Sequence, residues 1–298
     1  MITIGTRGSA LALKQTEIVK DSLLELEPNL DVQVKIIKTE GDKNLSPIPL
    51  DVVGKGWFTK DIEKALLEGQ IDLAVHSLKD LPEELPDGLT ITAVTKREDA
   101  RDVLVSKYNL TLEKLPKGAI IGTDSARRRL QLLRMRADLR VESIRGNVNT
   151  RLKKLQTENY DGLLLAAAGL KRLSLQGVIT QYFDPTIIIP APGQGALAVE
   201  TRLNDHKIND LLKGINDVLT QIATHAERAF AAAIGGGCKL PVGAYAVCKG
   251  DICTLHGMIA SLDGSRYIQD VVEGSCDEVL NLGRLLAVRI LDRFNGTQ

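Results

Sequence analysis

Aromatic residues make up only 3% of this 298-residue chain, with a single tryptophan. So thin a supply argues against a protein that holds nucleic acid by stacking bases on rings. Cysteine is scarce too. Cys238, Cys248, Cys253 and Cys276 all fall in the last quarter, too few for a disulfide scaffold of this length, so reduced thiols are expected. Apolar runs are short: Leu163 to Ala168 is broken at once by Gly169, far below the ~20 residues that cross a bilayer. No membrane span is expected. The first residues read as a strand rather than a basic stretch leading into an apolar one, so a cytoplasmic location is expected. His76, His206, His225 and His256 lack metal-ligand spacing, and no metal is expected. Net charge is absent as well: 38 basic and 38 acidic residues cancel, which excludes a globally basic coat or an acidic tail.

What remains is the composition of a soluble globular protein, 44% hydrophobic and 26% charged, long enough for two or three domains. Strand and helix patterns alternate through the first two thirds, as in an α/β sandwich. Ile2 to Thr6 reads as a strand, and Ser9 caps a helix that runs to Leu26. Val32, Val34 and Ile36 alternate as a half-buried strand, Lys60 to Glu68 is helical, and Ile71 to Val75 is a short buried strand. A second block opens near Arg101 and repeats the scheme. Its turn Gly122-Thr123-Asp124-Ser125 rhymes with Gly5-Thr6-Arg7-Gly8-Ser9, each leading from a strand into a helix whose free N–H groups can face an anion. The segment Pro190 to Ala196 is too rich in proline and glycine for regular structure and reads as a hinge or crossover. The last third, with a helix around Ala223 to Ala233, three strands and a final helix, reads as a smaller α+β domain.

Charge is concentrated in one place. Between Arg127 and Lys154 ten cations face two anions, Asp138 and Glu142, a local excess of eight in a neutral chain. Arginine dominates, and its planar fork suits carboxylate or phosphate. Arg127 and Arg128 stand at a helix start, where the dipole opposes cations, so both need an anion; the same holds for Arg151, and for Arg145 ahead of Gly146-Asn147. Elsewhere, His76-Ser77-Leu78-Lys79-Asp80-Leu81-Pro82 puts polar groups at a strand's carboxyl end, where open α/β sheets build their sites. Asp80 is the best carboxylate candidate there, and His76 reads as structural. Lys55 lies in a long loop that can act as a lid. Cys238, on Gly235-Gly236-Gly237 and beside Lys239, is the one displayed thiol, and the cation favours its thiolate. The other three cysteines read as inert.

The motifs His76 to Pro82, Gly122 to Arg128, Arg145-Gly146-Asn147 with Thr150-Arg151, Ala168 to Leu173, Pro192-Gly193-Gln194-Gly195-Ala196 and Gly236-Gly237-Cys238 occur in the order found in the porphobilinogen deaminase (hydroxymethylbilane synthase) family. The chain resembles that family from Thr6 to at least Ala244. The resemblance implies an α/β protein of three domains. Two are periplasmic-binding-protein-like, with a cleft between them: 1–97 with 196–216, carrying a flexible loop at 42–58, and 98–195. The third, 217–298, is a small α+β domain holding the cofactor cysteine.

It also implies a cytoplasmic, monomeric transferase of haem biosynthesis. Such an enzyme joins four porphobilinogens head to tail with release of ammonia, on a dipyrromethane cofactor bound by a thioether to Cys238, and releases the linear tetrapyrrole by hydrolysis. Asp80 is then the catalytic carboxylate, suited to stabilising the cationic azafulvenium left by ammonia loss. Arg7, Ser9, Lys55, Lys79, Thr123, Ser125, Arg127, Arg128, Arg145, Gly146, Arg151, Arg172 and Gln194 match positions that bind cofactor or substrate. Asp124 departs from the Ser of many relatives, adding a negative charge beside a carboxylate site, and Ile234-Gly235 stands where an acid often precedes the glycines. Two other readings share some features: a hinged solute-binding protein for a small polyanion, and nucleic-acid binding through the segment from Arg127 to Lys154.

Overall fold

The computed structural model describes residues 1–39, 59–235 and 240–296. The first lobe begins β1 (Ile2–Thr6), α1 (Ala10–Leu26), β2 (Val32–Ile36), and continues α2 (Lys60–Leu67), β3 (Leu73–Ser77), β4 (Leu89–Val94). The chain then crosses to a second lobe of β5 (Asp102–Ser106), β6 (Ile120–Gly122), α3 (Ala126–Met135), β7 (Arg140–Glu142), α4 (Val148–Thr157), β8 (Gly162–Ala166), α5 (Ala167–Arg172) and β9 (Gln181–Tyr182). It returns through residues 183–196 to β10 (Leu197–Arg202) and α6 (His206–Leu212). The third unit follows: α7 (Val218–Gly235), β11 (Val242–Lys249), β12 (Ile252–Ala260), β13 (Tyr267–Ser275) and α8 (Val279–Gly296).

Among the described residues the two lobes have sheets of one design, ordered β2-β1-β3-β10-β4 and β7-β6-β8-β5-β9. In each, parallel pairs surround one strand, β1 or β6, and another strand runs antiparallel between its neighbours. That strand belongs to the chain just arrived from the other lobe: β10 in the first sheet, β5 in the second. Apolar side chains of α1 pack on the first sheet, where Ile4, Leu23, Leu73, Leu197 and Val199 are fully buried. The third unit places α7 and α8 on one face of the antiparallel sheet β11-β12-β13, around Phe230, Leu255, Leu286 and Ile290. The strand expected to be half-buried, β2, is an edge strand on which Val34 and Ile36 are exposed, because only β1 pairs with it and the sheet's core lies on its other members.

The two crossovers lie side by side. Thr95 N–H donates to Leu197 O at 3.0 Å and Glu98 N–H to Gly195 O at 3.1 Å. Gly195 has φ +94°, and a Cβ there would sit 2.3 Å from the Glu98 carbonyl oxygen. The close approach and the left-handed backbone both require glycine. Among the described residues no helix is long and apolar enough to cross a membrane. Lys55 with its loop, 42–58, and Cys238 with Gly236, Gly237 and Lys239 lie outside the described residues.

Candidate active site

Most of the expected site residues stand at the carboxyl ends of parallel strands, where a twisted α/β sheet leaves a crevice. After β1, the half-buried Arg7 is followed by Ser9, whose hydroxyl accepts from the Ala12 N–H at 3.2 Å and starts α1. After β6, the buried Thr123 accepts from the Ser125 N–H at 3.2 Å, and Ser125 accepts from the Arg128 N–H at 3.4 Å to start α3. The rhyming turns thus share one local device, a hydroxyl that satisfies the first free N–H of a helix.

Arg127 and Arg128 are 5% and 7% exposed, so neither is a surface cation. Their anion is Asp102, fully buried at the first position of β5. One of its oxygens lies 2.7 Å from Arg127 Nη1, and the other accepts from Arg128 Nε at 3.0 Å and Nη2 at 2.8 Å. The need for an anion at this helix start is therefore met within the chain, by Asp102. Burial alone would raise the Asp102 carboxyl; the two guanidiniums outweigh it and hold the group below the usual carboxylate range. Gln194, itself 1% exposed, donates to Asp102 at 2.9 Å and to Ala100 O at 2.7 Å. Its carbonyl oxygen accepts from Arg128 at 3.4 Å and, from the first lobe, from Lys79 Nζ at 3.3 Å. Gln194 is therefore the link between Lys79 and the arginines.

Lys79 and Asp80 occupy a single 3-10 turn, Leu78–Asp80, at the end of β3. Burial and the nearby Arg128 and Arg127 lower Lys79 to about 8, against the opposing pull of Asp80 and Asp102. Asp80 is exposed. The strand end is tied to α1 by a 2.7 Å bond from Gln15 Nε2 to Ser77 Oγ, and His76 is buried, 3.0 Å from the fully buried Glu200. On the far side of Asp80 the backbone is gripped by Arg228 of α7, which donates to the carbonyls of Pro82 at 2.6 Å, Glu83 at 3.0 Å and Leu81 at 3.4 Å.

Arg145 is exposed just ahead of α4, with Gly146 at φ +115° and Asn147 capping the helix by accepting from the Thr150 N–H at 2.9 Å. Arg151 donates from Nε to Gly146 O at 2.8 Å and lies 3.6 Å from Asp124, whose carboxylate also accepts from the Ser143 hydroxyl. The departure at Asp124 is thus answered by Arg151. Arg172 is turned to the crossover, where it donates to Gly195 O at 2.6 Å, and burial lowers it to about 10 against the pull of Glu98.

Four residues absent from the sequence reading hold this arrangement together: Asp102, Arg97, Glu227 and Arg228. Glu227, fully buried on α7, takes both ends of the Arg97 guanidinium at 2.6 and 3.2 Å, the Gly193 N–H at 2.7 Å and the Ala246 N–H at 2.8 Å. It joins both crossovers to β11. The available signal was the pair Glu227-Arg228 inside the otherwise apolar stretch from Ala226 to Ala233.

Two lobes of one sheet order, joined by paired crossovers, with cations and exposed acids at the strand ends, define a two-lobed α/β protein of the periplasmic-binding-protein type with an added α+β unit. Residues 2–210 match the model of the porphobilinogen deaminase dipyromethane cofactor binding domain, and residues 221–292 that of the porphobilinogen deaminase C-terminal domain. Porphobilinogen deaminase of Roseiflexus castenholzii is 48% identical over 292 residues, covering 98% of this chain and 96% of that protein. The enzyme of Brevibacillus brevis is 46% identical over 294 residues, covering 98% and 94%. Among solved structures, a lipoprotein of the YaeC family from Enterococcus faecalis is similar over 72% of this chain and 91% of that one, with 15% identity and a TM-score of 0.43. The chain belongs to the porphobilinogen deaminase family.

Proposed function

We propose that the chain is a transferase that joins four porphobilinogens head to tail with loss of ammonia and then releases the linear tetrapyrrole by hydrolysis. It carries a dipyrromethane cofactor on Cys238 and acts as a cytoplasmic monomer. Its units are 1–97 with 196–216, 98–195 and 217–298. The observation that carries this reading is the grip of Arg228 on residues 81–83. It fixes the Asp80 turn to α7, the helix that ends at Gly235, three positions before Cys238 in the sequence.

The donor set fits a carboxylated dipyrrole. Lys79, Arg127 and Arg128 meet around a single buried carboxylate, Asp102, which leaves the cluster positive. When bound, the cofactor would supply the free pyrrole carbon to which the first ring is joined. Lys79, Arg127, Arg128, Arg145 and Arg151 hold acetate and propionate groups, with Arg7, Arg172 and Lys55 of the loop completing the cationic wall. Ser9, Thr123, Ser125, Gly146 and Gln194 supply the hydroxyl, amide and backbone groups that orient them. Asp80 faces the porphobilinogen nitrogen. It stabilises the positive charge that ammonia loss leaves on that ring, and it takes up a proton as the new bond forms.

Intact-mass measurement tests the cofactor: the full chain carries an added dipyrrole, and Cys238→Ala does not. Turnover tests the acid: Asp80→Asn keeps the added mass and loses turnover by roughly 10²–10⁴-fold. Near-wild-type turnover in Asp80→Asn would refute the role given to that carboxylate.

A further inference from the structure

Three cysteines outside the proposed chemistry meet at one hairpin of the third unit. β11 and β12 are joined by the two-residue turn Gly250-Asp251, with Gly250 at φ +57° in the first central position, as a II′ hairpin turn requires. The closing pair is Lys249 opposite Ile252, and the next is Cys248 directly opposite Cys253. In an antiparallel ladder directly opposed Cα atoms stand ~4.5–5.5 Å apart, inside the ~4.4–6.8 Å span that a disulfide bridges without backbone movement. The two sulfurs are 2.8 Å apart. On its other side Cys253 faces Gly274 of β13, which has no side chain, so Cys248 is its one sulfur neighbour across the ladder. Cys276 completes the group: its thiol points to Gly250 O at 3.6 Å and interacts with Cys248.

The opposed pair differs in access. Cys253 is fully buried in the core of the unit, whereas Cys248, like Cys276, is partly exposed, and Cys248 borders a cavity of about 350 Å³ shared with Arg97, Ala100, Leu219 and Tyr245. Of the opposed pair, Cys248 is therefore the one a small reagent meets first. No group of three His, Cys, Asp or Glu among the described residues is arranged to hold a metal ion, which leaves sulfur–sulfur chemistry.

We propose that Cys248 and Cys253 form a reversible dithiol–disulfide site, oxidised by low-molecular-weight disulfides. The Cys248 thiol, pushed up by burial and by the facing Cys253, must first lose its proton; its thiolate attacks one sulfur of RSSR, giving a Cys248–SR mixed disulfide and releasing RS⁻, which takes up that proton. The Cys253 thiolate then attacks the Cys248 sulfur and releases the second RS⁻. Two thiols and one RSSR become one protein disulfide and two RSH; the protein loses two electrons and two protons, and the small disulfide gains them. Both thiols belong to strands already in register, so the bond closes without moving β11, whose Ala246 N–H remains on Glu227. This reading stands independently of the proposed reaction.

The test uses the full-length holoprotein and oxidised glutathione. After incubation, free thiols are alkylated and the chain is digested without reduction and mapped by mass spectrometry. The expected result is a peptide joining Cys248 to Cys253, a loss of two alkylatable thiols, and their return with a dithiol reductant. Cys276→Ser keeps the cross-link, Cys248→Ser abolishes it, and turnover of both variants equals wild type. A cross-link from Cys276 to either partner, glutathione adducts without a cross-link, or an unchanged thiol count would each overturn the proposal.

Discussion

Glu227, with none of its surface exposed, binds the Arg97 guanidinium through both carboxylate oxygens at 2.6 and 3.2 Å. Arg97 sits in the first crossover and also donates from Nε to Gln194 O of the second, at 2.9 Å. One ion pair therefore fastens the paired crossovers to the helix that leads to Cys238. Glu227→Gln leaves the partly buried Arg97 guanidinium without its countercharge and is expected to destabilise the chain by ~1.5–3 kcal/mol. A double-mutant cycle with Arg97→Gln, followed by denaturant unfolding, checks this; additive effects would show that the two residues do not act as a pair.

Asp102 makes a pH prediction whose sign follows from its lowered carboxyl. A group ionised more readily in the folded state stabilises the fold above its unfolded value of about 4 and withdraws that stabilisation as pH falls further. Thermal midpoints should therefore fall steeply on acidification below about pH 4. Asp102→Asn is expected to weaken this dependence, which Asp99 shares, and to cost ~3–5 kcal/mol at neutral pH, because two buried arginines lose their anion.

Lys79, lowered to about 8, is cationic below that pH and neutral above it. If it binds carboxylates, KM for porphobilinogen rises as pH passes through about 8 while kcat changes less. Lys79→Arg keeps its charge and should remove that limb of the profile; an unchanged profile would separate Lys79 from substrate binding.

Arg228 donates to the backbone carbonyls that follow Asp80, so it is a positioning residue. Arg228→Gln should lower kcat by roughly 10–100-fold, with KM changed little, since misplacing a catalytic group by ~1 Å has effects of that size. Arg228→Lys, able to reach one carbonyl at a time, should recover part of the loss. A variant that unfolds earlier but turns over normally would assign Arg228 to stability alone.

The lobes, their rhyming turns and the cationic segment were legible in the sequence because each is local: Gly-Thr followed by a capping Ser, or ten cations in one stretch. The second crossover announced itself through Pro190, Pro192, Gly193 and Gly195. The first did not. Residues 95–101, Thr-Lys-Arg-Glu-Asp-Ala-Arg, have the composition of a solvated surface. Asp102 escaped for a related reason, since its partners lie 25 and 26 positions on and the intervening residues are β5, β6 and their turns. Long-range charge pairing leaves no periodic trace, whereas hydrophobic spacing does. Arg127 and Arg128 were correctly seen as needing an anion, but whether the chain or a ligand supplies it depends on a fold-level contact.

The exchange of antiparallel strands between the lobes has a consequence for synthesis on the ribosome. β4 has no pairing partner in its sheet until β10 arrives to lie between it and β3, about a hundred residues later. At roughly 5–20 residues per second the nascent first lobe waits about 5–20 s with that gap open. The second lobe receives β5 before any other of its strands and has no such wait. The lobe synthesised first is therefore completed last.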